Sequence, residues 1–132
     1  MVGLAAARLS ETYYRPAIVA HQGDEFTRGS CRSIPEFHIT QALDECADLL
    51  EHHGGHAAAA GFTVRNENVP ELVERLKSIA EQKLSDKDLR QILKADLEIS
   101  LRELKPELLR YLEWLQPTGY GNRQAYFTSR DL

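Results

Sequence analysis

The chain has 132 residues, which is enough for one ordinary domain or for a small domain with part of another. Apolar residues make up 42% of the sequence and charged residues 27%, so a globular protein with a hydrophobic core is expected. No apolar run approaches the roughly 18 residues that a membrane helix needs. The N-terminal residues show no signal-peptide pattern. The composition therefore predicts a soluble protein and no membrane partner.

The charge is mildly acidic overall but unevenly distributed. The net charge is −4, which argues against wholesale binding of a polyanion. Residues 1–33 carry four arginines against three acidic residues, whereas the remainder carries 12 basic and 17 acidic side chains. A polyanion would therefore meet the N-terminal part of the chain first.

The two cysteines, Cys31 and Cys46, lie 15 residues apart and form no Cys-x-x-Cys pair. We interpret them as reduced thiols, the usual state of isolated cysteines in the cytoplasm, although the sequence leaves a disulfide open. The expected localisation is cytoplasmic.

The pattern of residues 1–84 predicts an α/β or α+β domain, with a mixed sheet and flanking helices. The most regular helical pattern lies at 39–51, and Gly54 and Gly55 are expected to end that helix. Asn68 and Glu71 resemble a capping box. In chain order, we predict a helix at 3–14, strands at 17–20 and 26–34, a helix at 39–51, a strand at 57–64 and a helix from about 68 to 84. The first helix is expected to carry Val2, Ala5, Ala6, Leu9 and Tyr13 on one side.

The polar segment 85–92 is predicted to be a junction, and the pattern changes after it. Alternation over 93–99 predicts a half-exposed strand, followed by a helix at 106–115, a glycine-rich turn at 117–123 and a strand at 125–128. Trp114 is expected in the core beside the leucines of its helix. These elements predict an incomplete second domain over 93–132.

The segment 28–33, Arg-Gly-Ser-Cys-Arg-Ser, carries the first candidate site. Alternate residues of a strand point to the same side, so Arg28, Ser30 and Arg32 are expected to share one face. They would recur about every 6.5–7 Å, close to the separation of phosphates on an extended nucleic acid. Guanidinium groups offer paired donors to phosphate oxygens. The alternative is an exposed strand with solubilising charges.

The segment 54–61, Gly-Gly-His-Ala-Ala-Ala-Ala-Gly, is the second candidate site. Small residues on both sides of His56 allow a ligand to approach the backbone and the imidazole closely. Gly54, Gly55 and His56 are therefore candidate binding residues, with His56 able to donate a hydrogen bond to phosphate. The alternative is a satisfied polar histidine after a turn.

Other arrangements are less informative. His52 and His53 lie at the expected helix end, without a carboxylate pair or Cys-x-x-Cys to complete a metal site, so we predict no metal site in the chain. No nucleophile triad and no Walker-type loop is present. Asp44, Asp48 and Glu51 are expected to be solvated. The aromatic candidates for base stacking are Tyr13, Tyr14, Phe26 and Phe37, and core packing explains them equally well.

Taken together, the segment 28–33, the helix at 42–50 and the segment 54–61 resemble the RecJ family of bacterial single-strand-specific exonucleases, in the DHH phosphoesterase superfamily. The matched stretch, residues 1–84, resembles the DHH-associated substrate-binding domain of that family. The turn at 117–122 resembles the opening of the OB-like domain that follows it. The likeness covers nearly the whole chain.

The resemblance implies a function and a division of labour. The family cleaves single-stranded DNA from the 5′ end, in DNA repair and recombination, with Mn²⁺ or Mg²⁺ held by a preceding DHH catalytic domain. By motif match, Ser30 and Arg32 would bind the terminal phosphate and adjoining backbone, and Gly54, Gly55 and His56 would hold the scissile region. The strand argument adds Arg28. The isolated chain would bind single-stranded DNA and have no hydrolytic activity.

Two alternatives remain open at this point. The chain resembles in part superfamily members that cut short oligoribonucleotides or cyclic dinucleotides, although an OB-like continuation counts against them. It is also compatible with a stand-alone, non-catalytic nucleic-acid-binding protein.

Overall fold

The computed structural model describes residues 2–119 and 121–130, in two units that divide between Gln91 and Ile92. The first unit contains three helices and four strands. These are α1 (Val2–Tyr13), β1 (Ala17–Gln22), β2 (Phe26–Arg32), α2 (Ile39–Asp44), β3 (Leu50–His56), β4 (Ala59–Arg65) and α3 (Val69–Leu84). The second unit contains β5 (Leu97–Glu98), α4 (Pro106–Glu113) and β6 (Phe127–Thr128). The expected α+β class with flanking helices is confirmed.

The four strands of the first unit form one sheet in the order β1-β2-β4-β3. Every neighbouring pair in it is antiparallel, so the pairing is uniform where a mixed sheet was expected. The chain reaches this order with two hairpins, β1-β2 and β3-β4, placed side by side through β2 and β4. Strand β4, which carries Ala59, Ala60 and Gly61, therefore lies in the middle of the sheet. Strand β3, which carries Gly54 and Gly55, lies next to it at the edge.

One face of the sheet, the inner face, carries the hydrophobic core. Cys31, Phe62 and Val64 point from β2 and β4 into that core and are almost fully buried. Helices α2 and α3 cover them with Ile39, Ala42, Leu43, Leu72 and Ile79. Burial of these side chains at about 25 cal/mol per Å² is the main source of stability for the unit.

Helix α1 lies on the opposite, outer face, against β1 and β2. A Cβ atom added at Gly3 would lie 3.2 Å from Ser30 Oγ and from Arg32 Nη2. Ala6 and Ser10 are the buried residues of this helix. Of the five residues expected on one side of this helix, Ala6 is buried, because the helix turns small residues to the sheet. Val2, Ala5, Leu9 and Tyr13 are exposed.

The helix predicted at 39–51 is wrong beyond Asp44. Helix α2 ends there, and a short 3-10 turn at Ala47–Leu49 leads directly into β3. Ile39, Ala42, Leu43 and Cys46 are buried, whereas Ala47 is exposed. Residues from Leu50 onward form a strand because pairing with β4 satisfies their backbone groups over the whole segment. Gly54 and Gly55 are therefore strand residues and do not end a helix.

Helix α3 begins as predicted, but without the expected capping box. The side chain of Asn68 makes no capping hydrogen bond, and its Nδ2 donates instead to the carbonyl oxygen of Leu49 at 3.4 Å. Pro70 occupies the first turn, where a missing N–H is tolerated.

The strand predicted at 26–34 ends two residues early, at Arg32.

The second unit has little regular structure. The strands predicted at 93–99 and 125–128 shorten to β5 and β6, which pair in parallel. Helix α4 ends at Glu113, and Trp114 is 76% exposed, so its predicted place in a core is wrong. Its indole ring packs edge-to-face on Tyr111 at 5.2 Å between centroids. Tyr120, within the predicted turn, lies outside the described residues. None of the helices in the described ranges has the length and apolar character to cross a membrane.

Candidate nucleic-acid interface

Cross-strand register places the candidate residues in three rows on the outer face. Residues opposite each other in an antiparallel ladder point to the same side of the sheet. We name the rows the Arg32 row (Arg32, Ala59 and His56), the small row (Ser30, Gly61 and Gly54) and the Arg28 row (Arg28, Thr63 and His52). Each row runs from β2 across β4 to β3. The expected shared face of Arg28, Ser30 and Arg32 agrees with the burial of Cys31 on the other side.

Five of the six candidate residues therefore lie on one face: Arg28, Ser30, Arg32, Gly54 and His56. Gly55 is the exception, because it pairs with Ala60 and lies on the inner side. A Cβ atom at Gly55 would lie 2.3 Å from the carbonyl oxygen of Ala59, and its φ of 149° is one that residues with side chains rarely adopt. The structure thus gives Gly55 a role in the approach of β3 to β4, apart from the other five.

The Arg32 guanidinium is held by its own strand. Its Nη1 donates to the carbonyl oxygen of Cys31 at 2.8 Å and to Ser30 Oγ at 3.3 Å. Both side chains are half-buried, next to Gly3 of α1. Donors elsewhere on the planar group stay available, since a guanidinium has five N–H groups in all. The outer face therefore carries the Arg32 guanidinium, held in position, beside the Ser30 hydroxyl group.

His56 is the last residue of β3, directly before the two-alanine connection to β4. Its carbonyl oxygen accepts from Thr40 Oγ1 at 2.8 Å, which ties the strand end to α2. Its ring Nδ1 accepts from the backbone N–H of Ala58 at 3.4 Å. With Nδ1 in the acceptor role, the neutral ring carries its proton on Nε2, which becomes the donor for a ligand.

The pair His52 and His53, expected at a helix end, is instead split by β3. His53 pairs with Phe62 on the inner side and lies 2.8 Å from Asp44 Oδ1. His52 is exposed on the outer face and belongs to the Arg28 row. Sequence reasoning missed His52 because a helical pattern runs into this segment. In a strand, His52-Gly54-His56 repeats at two-residue spacing, as Arg28-Ser30-Arg32 does.

The described ranges contain no group of three His, Cys, Asp or Glu side chains placed to hold a metal ion. The described residues therefore do not fit the Mn²⁺ or Mg²⁺ that the resemblance implies for a complete enzyme. His53 and Asp44 form a simple pair, with 2.8 Å between Nε2 and Oδ1.

The acidic side chains near the site are engaged elsewhere. Asp44, Asp48 and Glu51, expected to be solvated, are exposed. Each of them also takes part in an ion pair, with His53, Arg75 and Arg65 respectively. Within residues 2–119 and 121–130, no ion pair includes Arg28 or Arg32. The guanidinium groups of Arg28 and Arg32 are therefore outside the ion pairs formed by the described residues.

The aromatic candidates divide between core and surface. Phe37 is a core residue, 3% exposed. The hydroxyl group of Tyr14 donates a hydrogen bond to the carboxylate of Glu36. Phe26 lies under the Arg65 guanidinium, 5.2 Å from the ring centroid. Tyr13 is 67% exposed on α1. Of these, only Phe26 lies on the outer face of the sheet, one step beyond the Arg28 row.

Both thiols are free and buried. Burial raises the pKa of Cys31 to about 12, against a smaller opposing effect of the Arg32 charge. Burial also raises the pKa of Cys46. Both groups are therefore neutral thiols at physiological pH and take no part in nucleophilic chemistry.

Comparison with known proteins agrees with this architecture. The DHHA1 domain model matches residues 1–82. The single-stranded-DNA-specific exonuclease RecJ of Bacillus subtilis is 38% identical over 128 residues, which are 96% of this chain and 16% of that protein. The RecJ of Thermus thermophilus is 32% identical over 127 residues, 96% of this chain and 18% of its own length.

Solved structures show the same likeness. The crystal structure of Thermus thermophilus RecJ in complex with Mn²⁺ superimposes with a TM-score of 0.83 at 29% identity, over 96% of this chain and 18% of that one. The Mg²⁺ complex gives a TM-score of 0.81 at 30% identity, over 95% and 19%. This chain thus spans less than a quarter of the length of the relatives it matches. It belongs to the DHHA1 domain family and is homologous to that part of RecJ.

Proposed function

We propose that this chain is the nucleic-acid-binding portion of a cytoplasmic, single-stranded-DNA-specific 5′–3′ exonuclease that acts in DNA repair and recombination. Its outer sheet face binds and orients the phosphate backbone. The observation that carries the proposal is the register that brings Arg28, Ser30, Arg32, Gly54 and His56 onto one face. The sequence relatives, named as single-stranded-DNA-specific exonucleases, support the choice of ligand.

The arrangement suits a phosphodiester strand. Arg32, Ser30 and His56 supply N–H and O–H donors, the groups that phosphate oxygens accept from. Nothing lies within 4 Å of a Cβ added at Gly54, so a nucleic-acid strand can approach the protein backbone there. Because the proposed contacts are to phosphates and not to base edges, binding would depend little on the DNA sequence and strongly on the salt concentration.

In the complete enzyme, the divalent ions would be held by a DHH catalytic domain outside this chain. The contribution of these residues is to bind the phosphates and hold them in one orientation. Such positioning lowers the barrier of a reaction by removing the entropy of aligning the reacting groups. The chain alone is therefore expected to bind single-stranded DNA without cleaving it.

The test is the substitution Arg32→Ala in the 132-residue chain. Removal of a charge-assisted hydrogen bond to phosphate, about 1.5–3 kcal/mol, should weaken binding of a labelled oligothymidylate about 10- to 100-fold. Fluorescence anisotropy at low salt measures the affinity. The dependence of log K on log[salt] should also become shallower by about 0.7 for each phosphate that the variant no longer neutralises.

Arg90→Ala is the matched control. Its side chain is 82% exposed and forms an ion pair with Asp88, and it lies outside the strands of the sheet, so the same charge is removed from a residue that is not in the proposed site. Binding and melting temperature should both stay as in the wild type. If Arg32→Ala instead lowers the melting temperature and leaves the affinity unchanged, Arg32 has a packing role and the proposal fails.

A further inference from the structure

The outer face repeats one arrangement twice. In the Arg32 row, an arginine on β2 and a histidine on β3 flank a β4 residue, Ala59. In the Arg28 row, Arg28 and His52 flank Thr63 in the same order. We infer that the Arg28 row is a second phosphate-binding site, with His52 as a binding residue that the sequence motifs do not contain. The inference rests on the proposed function of the same face.

The spacing of the two rows suits two phosphates of one strand that have a third phosphate between them. The Arg28 row and the Arg32 row lie four residues apart along each strand, which is about 13–14 Å, or twice the separation of neighbouring phosphates on an extended nucleic acid. Across the sheet, β2 and β3 are separated by β4 alone, which puts the arginine and histidine backbones about 9.5 Å apart. A phosphate above the β4 residue is then within reach of both long side chains. The small row lies midway between them, and its small side chains leave room for the intervening nucleotide.

The side chains of the Arg28 row are available for a ligand. Arg28 and His52 are exposed, and within the described residues neither side chain takes part in a hydrogen bond or ion pair. The neighbouring residues differ in this respect. His53 is engaged by Asp44, and Arg65 is engaged by Glu51. The row also has Thr63, whose hydroxyl is a further donor.

Nearby charges favour binding of the phosphate on the β4 side of Arg28 over its β1 side. On the β1 side, Arg28 pairs in register with His21, and a shallow depression there is also lined by Asp24 and Glu25. Two carboxylates at that end repel a phosphate. The phosphate is therefore expected between Arg28 and His52, over Thr63, and not between Arg28 and His21.

The experiment uses oligothymidylates in which a single phosphodiester is replaced by an uncharged methylphosphonate, moved one position at a time. The wild-type chain should lose about tenfold or more in affinity at two positions that have one phosphate between them. His52→Ala should abolish the sensitivity at one of these positions and keep it at the other. Arg32→Ala should do the reverse. Because His52 is exposed, its truncation should leave the melting temperature unchanged.

His21→Ala is the matched control, since it removes a histidine from the same face on the acidic side. It should keep both sensitive positions. A single sensitive position in the wild-type chain, or two that survive His52→Ala, would overturn the second site while Arg32→Ala still weakens binding. Failure of the proposed function is different: the unmodified oligonucleotide would not bind, or Arg32→Ala would bind it like the wild type.

Discussion

Gly54 and Gly55 are neighbours in the chain but serve different purposes, because successive strand residues point to opposite sides of the sheet. Gly54 faces outward into open space in the small row. Gly55 faces inward with a φ of 149°, and a Cβ there would lie 2.5 Å from Ala60 Cα. One glycine leaves space for a ligand, and the other permits two strands to pair.

This difference predicts opposite outcomes for two single-methyl substitutions. Gly55→Ala should destabilise the chain by about 2 kcal/mol or more, through backbone overlap and strain. Gly54→Ala should leave stability unchanged or slightly higher, since alanine orders the chain at a smaller entropic cost. It should nevertheless weaken binding of single-stranded DNA, because its methyl group projects from the small row, where the nucleic acid is proposed to approach the sheet. Urea denaturation and anisotropy separate the two effects. Equal losses of stability would contradict the assignment of faces.

For single residues, the sequence predicts which side chains alternate along one strand. It does not predict which residues of neighbouring strands lie opposite each other. Arg28, Ser30 and Arg32 could be placed on one face because a strand alternates, whatever its neighbours are. The position of His56 beside them depends on the register of β3 with β4, and His52 depends in addition on the bulge between Leu50 and His52. Nothing in a single sequence reports that register directly.

At the scale of elements, α3 was predictable and the end of α2 was not. Helix α3 has a long, regular apolar pattern that agrees with its tertiary burial. The segment 45–51 continues the helical spacing of α2, but pairing with β4 overrides that pattern from Leu50 onward. Two glycines at 54 and 55 favour either outcome locally. Only the long-range partner decides between them, which is why the strand was missed.

Helix α3 should contribute to stability through its inward side chains alone. Leu72 is 2% exposed in the core, whereas its neighbour Val73 is 42% exposed. Leu72→Ala should therefore lower the free energy of unfolding by about 2–5 kcal/mol, from lost burial and the cavity left behind. Val73→Ala should lower it by well under half of that amount. Thermal and urea unfolding measure both. Comparable losses from the two variants would place α3 differently on the sheet.

For the first unit as a whole, the sheet divides labour between its faces. Helices α2 and α3 pack their apolar side chains on the inner face, while α1 packs mainly on β1 and β2 on the outer face. The outer surface of β3 and β4 is therefore left to polar and small side chains. This asymmetry follows from register: β2 supplies Arg28 and Arg32 and β3 supplies His52 and His56 to the outer face, whereas the buried side chains Phe62 and Val64 of β4 fall on the inner face.

The inner layer also makes the stability of the chain sensitive to alkaline pH. Burial raises the pKa of Cys31 from its ordinary value of 9.0 to about 12 in the folded state. Between these values the unfolded chain releases a proton that the folded chain retains. The unfolded state then binds fewer protons, so stability falls as pH rises, by up to about 1.4 kcal/mol for each pH unit. Below the unfolded value, this contribution is fully present.

The variant Cys31→Ala tests this directly, because it removes the titrating group and keeps the others. At pH 8 it should be less stable than the wild type, since it leaves a small cavity beside Phe62 and Ala60. As the pH rises from about 9 to about 10.5, the difference in free energy of unfolding should narrow, because only the wild type must keep a buried thiol protonated. Urea titrations under reducing conditions measure it. Two parallel pH curves would show that Cys31 titrates alike in both states, and that the core around β2 admits water.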